Sequence, residues 1–534
     1  MFGVYFASDR SSSGKSSVTL AFSMMLKDKG YSLNVYKTGP DFIDPVVLTE
    51  ALGSEVRVKN LDPFLIPGKH LKEWFFAGNE SGNGNGNGNG NGSIDEIAGV
   101  NGNINESVDG KTAFVAESAM GLYDGSSYII PKKFKLPVVL VMDCRRISST
   151  MASLIYGLKN YKRGINVCGV ILNNISSARH YQIISEEIEA GIPDIKVFGY
   201  ILNNEAVFSI KERHLGLAVQ PLGSGNAKKT FHKTVSGIKD AVFKNVDFNL
   251  LVKTLKENSE DFNELSKLNR TNKLKKLKIK TEEINANANS KTNSKINSDS
   301  DSDSKTIAKT AAKTKIKPKI KIAAALDKAF FFYYNFNFEI LKSFGAEIIF
   351  FSPLKDKALP KGTQAVYIGG GYPEIYAEAL AENAPIRKEI YEFAKNNGII
   401  YAECGGLMYL CKKIIYKRKS FDAAGIFPFR ASMDEGGLSL GYRTVRLKEK
   451  TFLGEAGLTA NGHEFHYSKL IKDYCDDCEG GGIKNILEYE SISAPGIFKP
   501  EGYNILNTVG SYIHLSFYSN KLLAENLVVS AGKF

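Results

Sequence analysis

Two short stretches of this sequence have the residue types and spacing to do chemistry. The first is Ser8-Asp-Arg-Ser-Ser-Ser-Gly14-Lys15-Ser16-Ser17, placed between a strand-like run, Phe2-Gly-Val-Tyr-Phe-Ala7, and an amphipathic stretch. Strand, small-residue loop, Gly-Lys-Ser and helix is the context that a phosphate-binding loop requires. Backbone N–H groups of such a loop, and of the helix that follows, point at phosphate oxygens. Gly14, Lys15, Ser16 and Ser17 are therefore the expected ATP-binding residues, with Lys15 reaching the outer phosphates and the Ser16 hydroxyl available to Mg2+. Asp9 stands where the common pattern has its first glycine.

The second stretch is Tyr401-Ala-Glu-Cys404-Gly-Gly-Leu-Met-Tyr-Leu, at the end of a predicted strand over 398–402. A cysteine between a β-run and a helix opened by two glycines has the form of a nucleophile elbow. The helix N-terminus is expected to lower the Cys404 pKa toward thiolate. Gly369-Gly-Gly-Tyr-Pro-Glu374 follows the preceding strand, so the backbone at Gly370 and the N–H of Gly405 are the expected oxyanion-hole donors. The partner base should be a histidine brought close by folding. His514, on the short apolar run Gly510-Ser-Tyr-Ile-His514-Leu-Ser-Phe, is the candidate, with His463 and His466 as competitors. Cys475-Asp-Asp-Cys478 has no second pair at zinc spacing and predicts no structural metal.

Acidic residues cluster after two other predicted strands. Lys37-Thr-Gly-Pro-Asp41-Phe-Ile-Asp44-Pro follows one, and Glu117-Ser-Ala-Met-Gly-Leu-Tyr-Asp124-Gly follows the next. In open α/β sheets, ligands bind beyond the carboxyl ends of the strands. Lys15 with Asp41, Asp44, Glu117 and Asp124 at one such edge would suit Mg2+-bound ATP facing an anionic substrate; each aspartate taken singly reads better as a turn residue or helix cap, and it is the combination that favours the site.

The elements that must position these residues are legible as alternating patterns. Strands are predicted over 2–7, 32–37, 112–117, 137–143, 165–172 and 196–200, with helices over 15–29, 148–161 and 178–190. That alternation predicts an α/β domain over 1–250 built on a parallel sheet. A second α/β domain is expected over 319–534, with strands over 319–325, 346–351, 364–368 and 398–402 and shorter strands after Gly425. Gly/Asn-rich sequence at about 80–105 predicts a disordered insert, and the Lys/Asn/Ser/Asp-rich stretch over 254–318 predicts a solvated linker.

The 534 residues are enough for two or three domains, and 43% of them are hydrophobic. The net charge of +12 owes much to the Lys-rich stretch, and no basic patch interleaved with aromatics predicts a nucleic-acid partner. Six scattered cysteines, no signal-like start and no long apolar span predict a cytoplasmic protein with no membrane partner.

Taken together, these motifs resemble the cobyrinate a,c-diamide synthase family, which includes hydrogenobyrinate and nickel-sirohydrochlorin enzymes. The resemblance is carried by Val35 to Pro45, Asn60-Leu-Asp62, Glu117 to Gly125, Ile171-Leu-Asn-Asn174 with Arg179-His180, and Glu212 to Leu217. In the second half it is carried by Phe351-Ser-Pro-Leu354, Gly369 to Glu374, Ala402 to Tyr409, Gly462 to Ser468 and Ser511-Tyr-Ile-His514. It implies a P-loop domain like dethiobiotin synthetase, followed by a class I glutamine amidotransferase domain. It also implies amidation of the a and c acetate groups of cobyrinic acid with glutamine and ATP, through an acyl phosphate, in cobalamin biosynthesis.

By the same match, Asp41, Asp44, Glu117 and Asp124 are substrate- or metal-facing acids, Ser16 and Glu117 the expected Mg2+ ligands, and Cys404 with His514 the glutaminase pair. A homodimer is compatible with it. Ser8, Thr38 and Ser118 depart from the family pattern. Ser516 stands where most class I amidotransferases carry a Glu two residues after the histidine; the family often lacks that Glu too, which implies a Cys–His dyad, with Glu464 as a candidate to orient His514. The alternatives are a nickel-sirohydrochlorin diamide synthase, a non-catalytic P-loop switch, and a pseudo-amidotransferase that only binds glutamine.

Overall fold

The computed structural model describes residues 1–53, 56, 58–77, 111–203, 226–269, 271, 319–472 and 483–534. The Gly/Asn-rich insert, Glu212–Leu217, Cys475, Cys478 and most of the predicted linker lie outside the described residues.

The first half builds one parallel seven-stranded sheet from β1 (Phe2–Ala7), β2 (Ser32–Thr38), β3 (Val58–Leu61), β4 (Thr112–Glu117), β5 (Val138–Asp143), β6 (Val167–Ile175) and β7 (Lys196–Leu202). The order is β3-β2-β4-β1-β5-β6-β7. Every residue of β1 and β5 is buried, as expected for apolar runs covered by helices on both faces. Because β4 and β5 flank β1 on opposite sides, the loops leaving β1, β2 and β4 emerge together at one edge. Edge strand β3 escapes sequence prediction because its four residues, Val-Lys-Asn-Leu, are too few to show a period.

The second half is also α/β. β8 (Ile320–Ala325), β9 (Phe330–Phe332), β10 (Ala346–Phe351), β11 (Ala365–Ile368), β12 (Gly370–Gly371) and β13 (Ile399–Glu403) come first in the chain. The parallel run β10-β8-β11-β13 continues onto Thr508–Ser511 and then into an antiparallel arm. That arm contains Ala494–Ile505, Lys484–Ser491, Ser439–Leu447, Thr459–His466 and Ile513–Leu515. The chain leaves β13's neighbour at Ser511 and rejoins the sheet two residues later beside Thr459–His466. This switch sets His514 between the two arms of the sheet. β9 and β12 form a separate two-stranded ribbon.

Structure replaces the predicted linker at its start. Helix Phe248–Glu257 and a helical stretch over 260–269 run well past residue 254. Leu255 and Phe262 are fully buried, and Phe262 packs against Phe75, Phe76 and Phe114. Ser259 accepts a hydrogen bond from the Gly3 N–H, tying the segment to β1. The polar composition conceals a helix whose buried side recurs at 255, 259, 262 and 266.

Phe262→Ala should therefore cost about 3–5 kcal/mol of stability in urea denaturation, the range for deleting a buried aromatic. A loss under about 0.5 kcal/mol, typical of a solvated site, would contradict the packing.

Candidate functional site

The loop between β1 and helix Lys15–Asp28 has the strand–loop–helix form that its sequence predicts. Helix Lys15–Asp28 starts directly after Gly14, which has φ 97°. A side chain at Gly14 would be strained, and its Cβ would lie 2.2 Å from Asn173 Nδ2. Asn173, at the end of β6, donates to the Ser13 carbonyl at 2.8 Å and so braces the loop. The Lys15 ammonium donates to Ser8 Oγ at 2.9 Å and to the Arg10 carbonyl at 2.8 Å. Burial pulls Lys15 down to about 8. Ser16 and Ser17 occupy the first turn of the helix.

Three of the four predicted acids gather around Lys37. Its ammonium lies 2.5 Å from Asp44 Oδ2 and 2.6 Å from Glu117 Oε1. Burial would discharge Lys37, but Asp44 and Glu117 outweigh it and hold the ammonium. Burial would likewise raise Asp44, yet Lys37 keeps its carboxyl below the usual range. Asp41 has no such cation in contact. Burial and the neighbouring Asp44 push it up to about 7, while its Oδ1 accepts from the Ile43 and Asp44 N–H groups to cap helix Ile43–Leu52. Asp124 sits apart from Lys37 and takes the role of a turn residue, accepting from Gly121 N–H at 2.9 Å. That turn is bolted to the phosphate loop by Leu122 N–H donating to the Ser8 carbonyl at 2.7 Å.

The residues present fit a Mg2+ ion. Ser16 Oγ lies 2.6 Å from Glu117 Oε1 and 3.1 Å from Asp44 Oδ2, and Glu117 Oε2 is buried without a hydrogen-bond partner. One hydroxyl and one or two carboxylates, completed by waters and phosphate oxygens, is the donor set Mg2+ takes in nucleotide sites.

At the other site, Cys404 has φ 50° and ψ −106° between β13 and helix Gly405–Leu410, the sharp turn of a nucleophile elbow. The expected thiolate is not what the free site holds. Burial pushes the thiol up to about 12, with Glu374 adding to it, and the Gly405 N–H does not compensate. A six-residue helix is too short to offset complete desolvation.

Gly370 and Gly371 bridge the nucleophile and the histidine. A Cβ on Gly370 would meet His514 Cε1 at 2.4 Å and Nε2 at 3.0 Å, while the ideal Cβ position of Gly405 lies 2.9 Å from Gly371 N. Gly370 thus abuts His514, and Gly371 abuts Gly405, the residue after Cys404, whose thiol lies 3.7 Å from the Phe465 carbonyl. His466 is committed elsewhere, stacked on Tyr512 and bonded to Glu464 and the Ser468 carbonyl. His463 is paired with His514 across the strands, and burial drives it down to about 3, leaving it uncharged. Glu464, the residue expected to orient His514, instead binds Arg443 at 2.7 Å and His466 at 2.8 Å.

The two sites meet across a seam. Phe42, between Asp41 and Asp44, lies 4.7 Å from the His514 ring and packs on Phe332 and Tyr334. Tyr442 donates to Asp62, Asn461 to the Phe64 carbonyl, and Ser516 to the Leu65 carbonyl. Asp62 and Ser516 thus serve the seam, while Asn60 donates to the Gly39 and Asp41 carbonyls and braces the acid loop. Sequence reasoning did not single out Phe42, Asn173 or Tyr442 because an aromatic, an amide or a phenol carries no chemical signature by itself.

A phosphate loop with an acid cluster, joined to a Cys–His elbow, defines a glutamine-hydrolysing, ATP-dependent carbon–nitrogen ligase. Residues 4–217 match the model described as the CobQ/CobB/MinD/ParA nucleotide binding domain, and residues 321–522 match the CobB/CobQ-like glutamine amidotransferase domain. Cobyrinate a,c-diamide synthase of Methanosarcina acetivorans is 32% identical over 99% of this chain and 95% of its own length. The Methanobrevibacter smithii and Listeria innocua proteins of the same name are each 30% identical over 99% of this chain and 98% and 99% of their own lengths. The chain belongs to the cobyrinate a,c-diamide synthase family. Among the described residues, no helix is long and apolar enough to cross a membrane.

Two outcomes follow from the site geometry. Asp41→Asn keeps the capping oxygen and removes an acid whose folded pKa is raised. Such a group adds stability that is present below its unfolded pKa and lost as pH rises through about 7. The variant's melting temperature should therefore gain on wild type between pH 4 and pH 8; parallel profiles would contradict it. Gly370→Ala should displace His514 and cut glutamine-dependent turnover by about 100-fold, the scale of an ångström's misplacement, while ammonia-dependent turnover persists. Unchanged glutamine use would contradict the contact.

Proposed function

We propose that this enzyme amidates the a and c acetate carboxylates of cobyrinic acid, in cobalamin biosynthesis, through acyl-phosphate intermediates. The reading rests on the convergence of Lys15, Lys37 and three carboxylates at the carboxyl edge of the first sheet, in a chain whose full-length relatives are named for that reaction.

A carboxylate is a poor electrophile because its negative charge repels nucleophiles. Transfer of the ATP γ-phosphoryl group to a carboxylate oxygen gives a mixed anhydride and ADP. Ammonia then attacks the carbonyl carbon, and phosphate leaves with its oxygen. Lys15 and the N–H groups of Gly14 to Ser17 would hold the outer phosphates. Ser16, Glu117 and Asp44 would hold Mg2+, which supplies charge neutralisation at the transferring phosphoryl group. Lys37 keeps Asp44 ionised and holds both Asp44 and Glu117 in place. Asp41, capable of carrying a proton near neutral pH, faces the same edge and is suited to the substrate carboxyl group.

Ammonia would come from glutamine. Because the Cys404 thiol holds its proton, attack on the glutamine amide must accompany proton transfer to His514. His514 returns that proton to the departing nitrogen, and the N–H groups at Gly370 and Gly405 would hold the oxyanion. Water then hydrolyses the thioester to glutamate. A P-loop switch would account for Gly14 to Ser16 but not for the elbow at Cys404.

The test is amide formation with ATP, from glutamine or ammonium, on cobyrinic acid and separately on nickel-sirohydrochlorin, read by mass spectrometry. Cobyrinic acid should gain two amides. Cys404→Ala should lose glutamine use and keep ammonium use. Amidation of nickel-sirohydrochlorin alone would transfer the reading to that ring, and amidation of neither would overturn it.

A further inference from the structure

The imidazole of His514 is 1% exposed, and its Nδ1 makes no hydrogen bond among the described residues. A general base of this kind needs its second nitrogen held, because a ring free to turn or to change tautomer loses the geometry of proton transfer. Ser516, two residues on, donates its hydroxyl to Leu65. Glu464 is bound by Arg443 and His466. Glu501 is bound by Ser511 Oγ at 2.6 Å and Tyr512 N–H at 2.7 Å.

The acid that does face Nδ1 is Glu403, the residue directly before the nucleophile. Its Oε2 lies 3.6 Å from His514 Nδ1. The carboxylate is 1% exposed and held by three donors. The Tyr401 hydroxyl and the Leu515 N–H bond to Oε1 at 2.6 and 3.0 Å, and the Tyr367 hydroxyl bonds to Oε2 at 2.8 Å. A buried carboxylate is costly unless so bound, and these donors aim it while leaving lone pairs on Oε2 free. The Leu515 bond ties it to the residue after His514. On the far side of the ring, Nε2 faces Gly370 and the elbow.

We propose that Glu403 is the positioning residue of the glutaminase pair, orienting His514 through Nδ1 from the strand that carries Cys404 and so standing in for the acid that Ser516 replaces. This rests on the reading of Cys404 and His514 as the glutamine-hydrolysing pair. At 3.6 Å the contact is longer than a hydrogen bond, and a small ring rotation on glutamine binding closes it, as catalytic hydrogen bonds commonly tighten in the complex. Glu403 then holds the proton-bearing Nδ1, leaves Nε2 to accept the Cys404 proton, and stabilises the imidazolium that results.

Glu403→Gln preserves shape and removes the charge. Its kcat for glutamine hydrolysis should fall by about 100-fold or more, the scale of a general acid–base contribution. KM for glutamine and ammonium-dependent amidation should stay at wild-type values. Glu403→Asp, which restores the charge, should recover part of kcat. Wild-type kcat in Glu403→Gln would overturn the proposal. Parallel loss of ammonium-dependent amidation would also overturn it, marking the residue as structural. If Cys404→Ala hydrolyses glutamine as fast as wild type, the glutaminase reading itself fails, an outcome distinct from failure at Glu403.

Discussion

The contact on which the two halves of this molecule depend is the Phe42 ring against His514, 4.7 Å between centroids. Phe42 belongs to the loop that presents Asp41 and Asp44, and His514 belongs to the cysteine's site. Phe332 and Tyr334 hold the ring from the second half, at 5.2 and 4.6 Å. Aromatic pairs of this kind contribute about 0.5–1.5 kcal/mol each beyond the area they bury. Trp74 extends the seam onto Phe336 and Tyr518. Polar bonds from Tyr442, Asn461 and Ser516 fix its register.

Each site resolves a conflict between burial and charge, and the two do so differently. At the nucleotide edge, Lys37 is shared by Asp44 and Glu117, and it keeps the Asp44 carboxyl ionised in a place that would favour its neutral form. At the elbow, Cys404 has no cation in contact among the described residues, and burial keeps it a thiol. Charge at the first site is therefore built in, whereas at the second it must be created by proton transfer during reaction. The placement of His514 accordingly matters more than the resting state of the sulfur, and Glu403 acts on that placement.

The sequence makes the reactive residues legible wherever short-range rules apply. Gly14-Lys15-Ser16 after an apolar run, and Cys404 followed by two glycines after another, are local signals, and both form as expected. Strands β1, β2 and β4 are legible for the same reason. What was hidden is non-local. Phe262 lies in a stretch of linker-like composition and is buried by a core 150 residues earlier in the chain. Glu464 is a candidate for His514 on sequence, but alternation along Thr459–His466 aims it at Arg443. Glu403 was overlooked although it adjoins Cys404, because only the chain's return at Ser511–Leu515 shows what it faces.

We infer that nitrogen freed at Cys404 is consumed at the Lys37 acid cluster without passing through solvent. Amidation should be run with glutamine carrying 15N in its amide group and an equal concentration of unlabelled ammonium, at a pH where little free ammonia exists. The amide product should carry 15N at nearly the enrichment of the glutamine. Product whose label follows the bulk ammonium pool would contradict it, leaving two active sites that share a chain but not an intermediate.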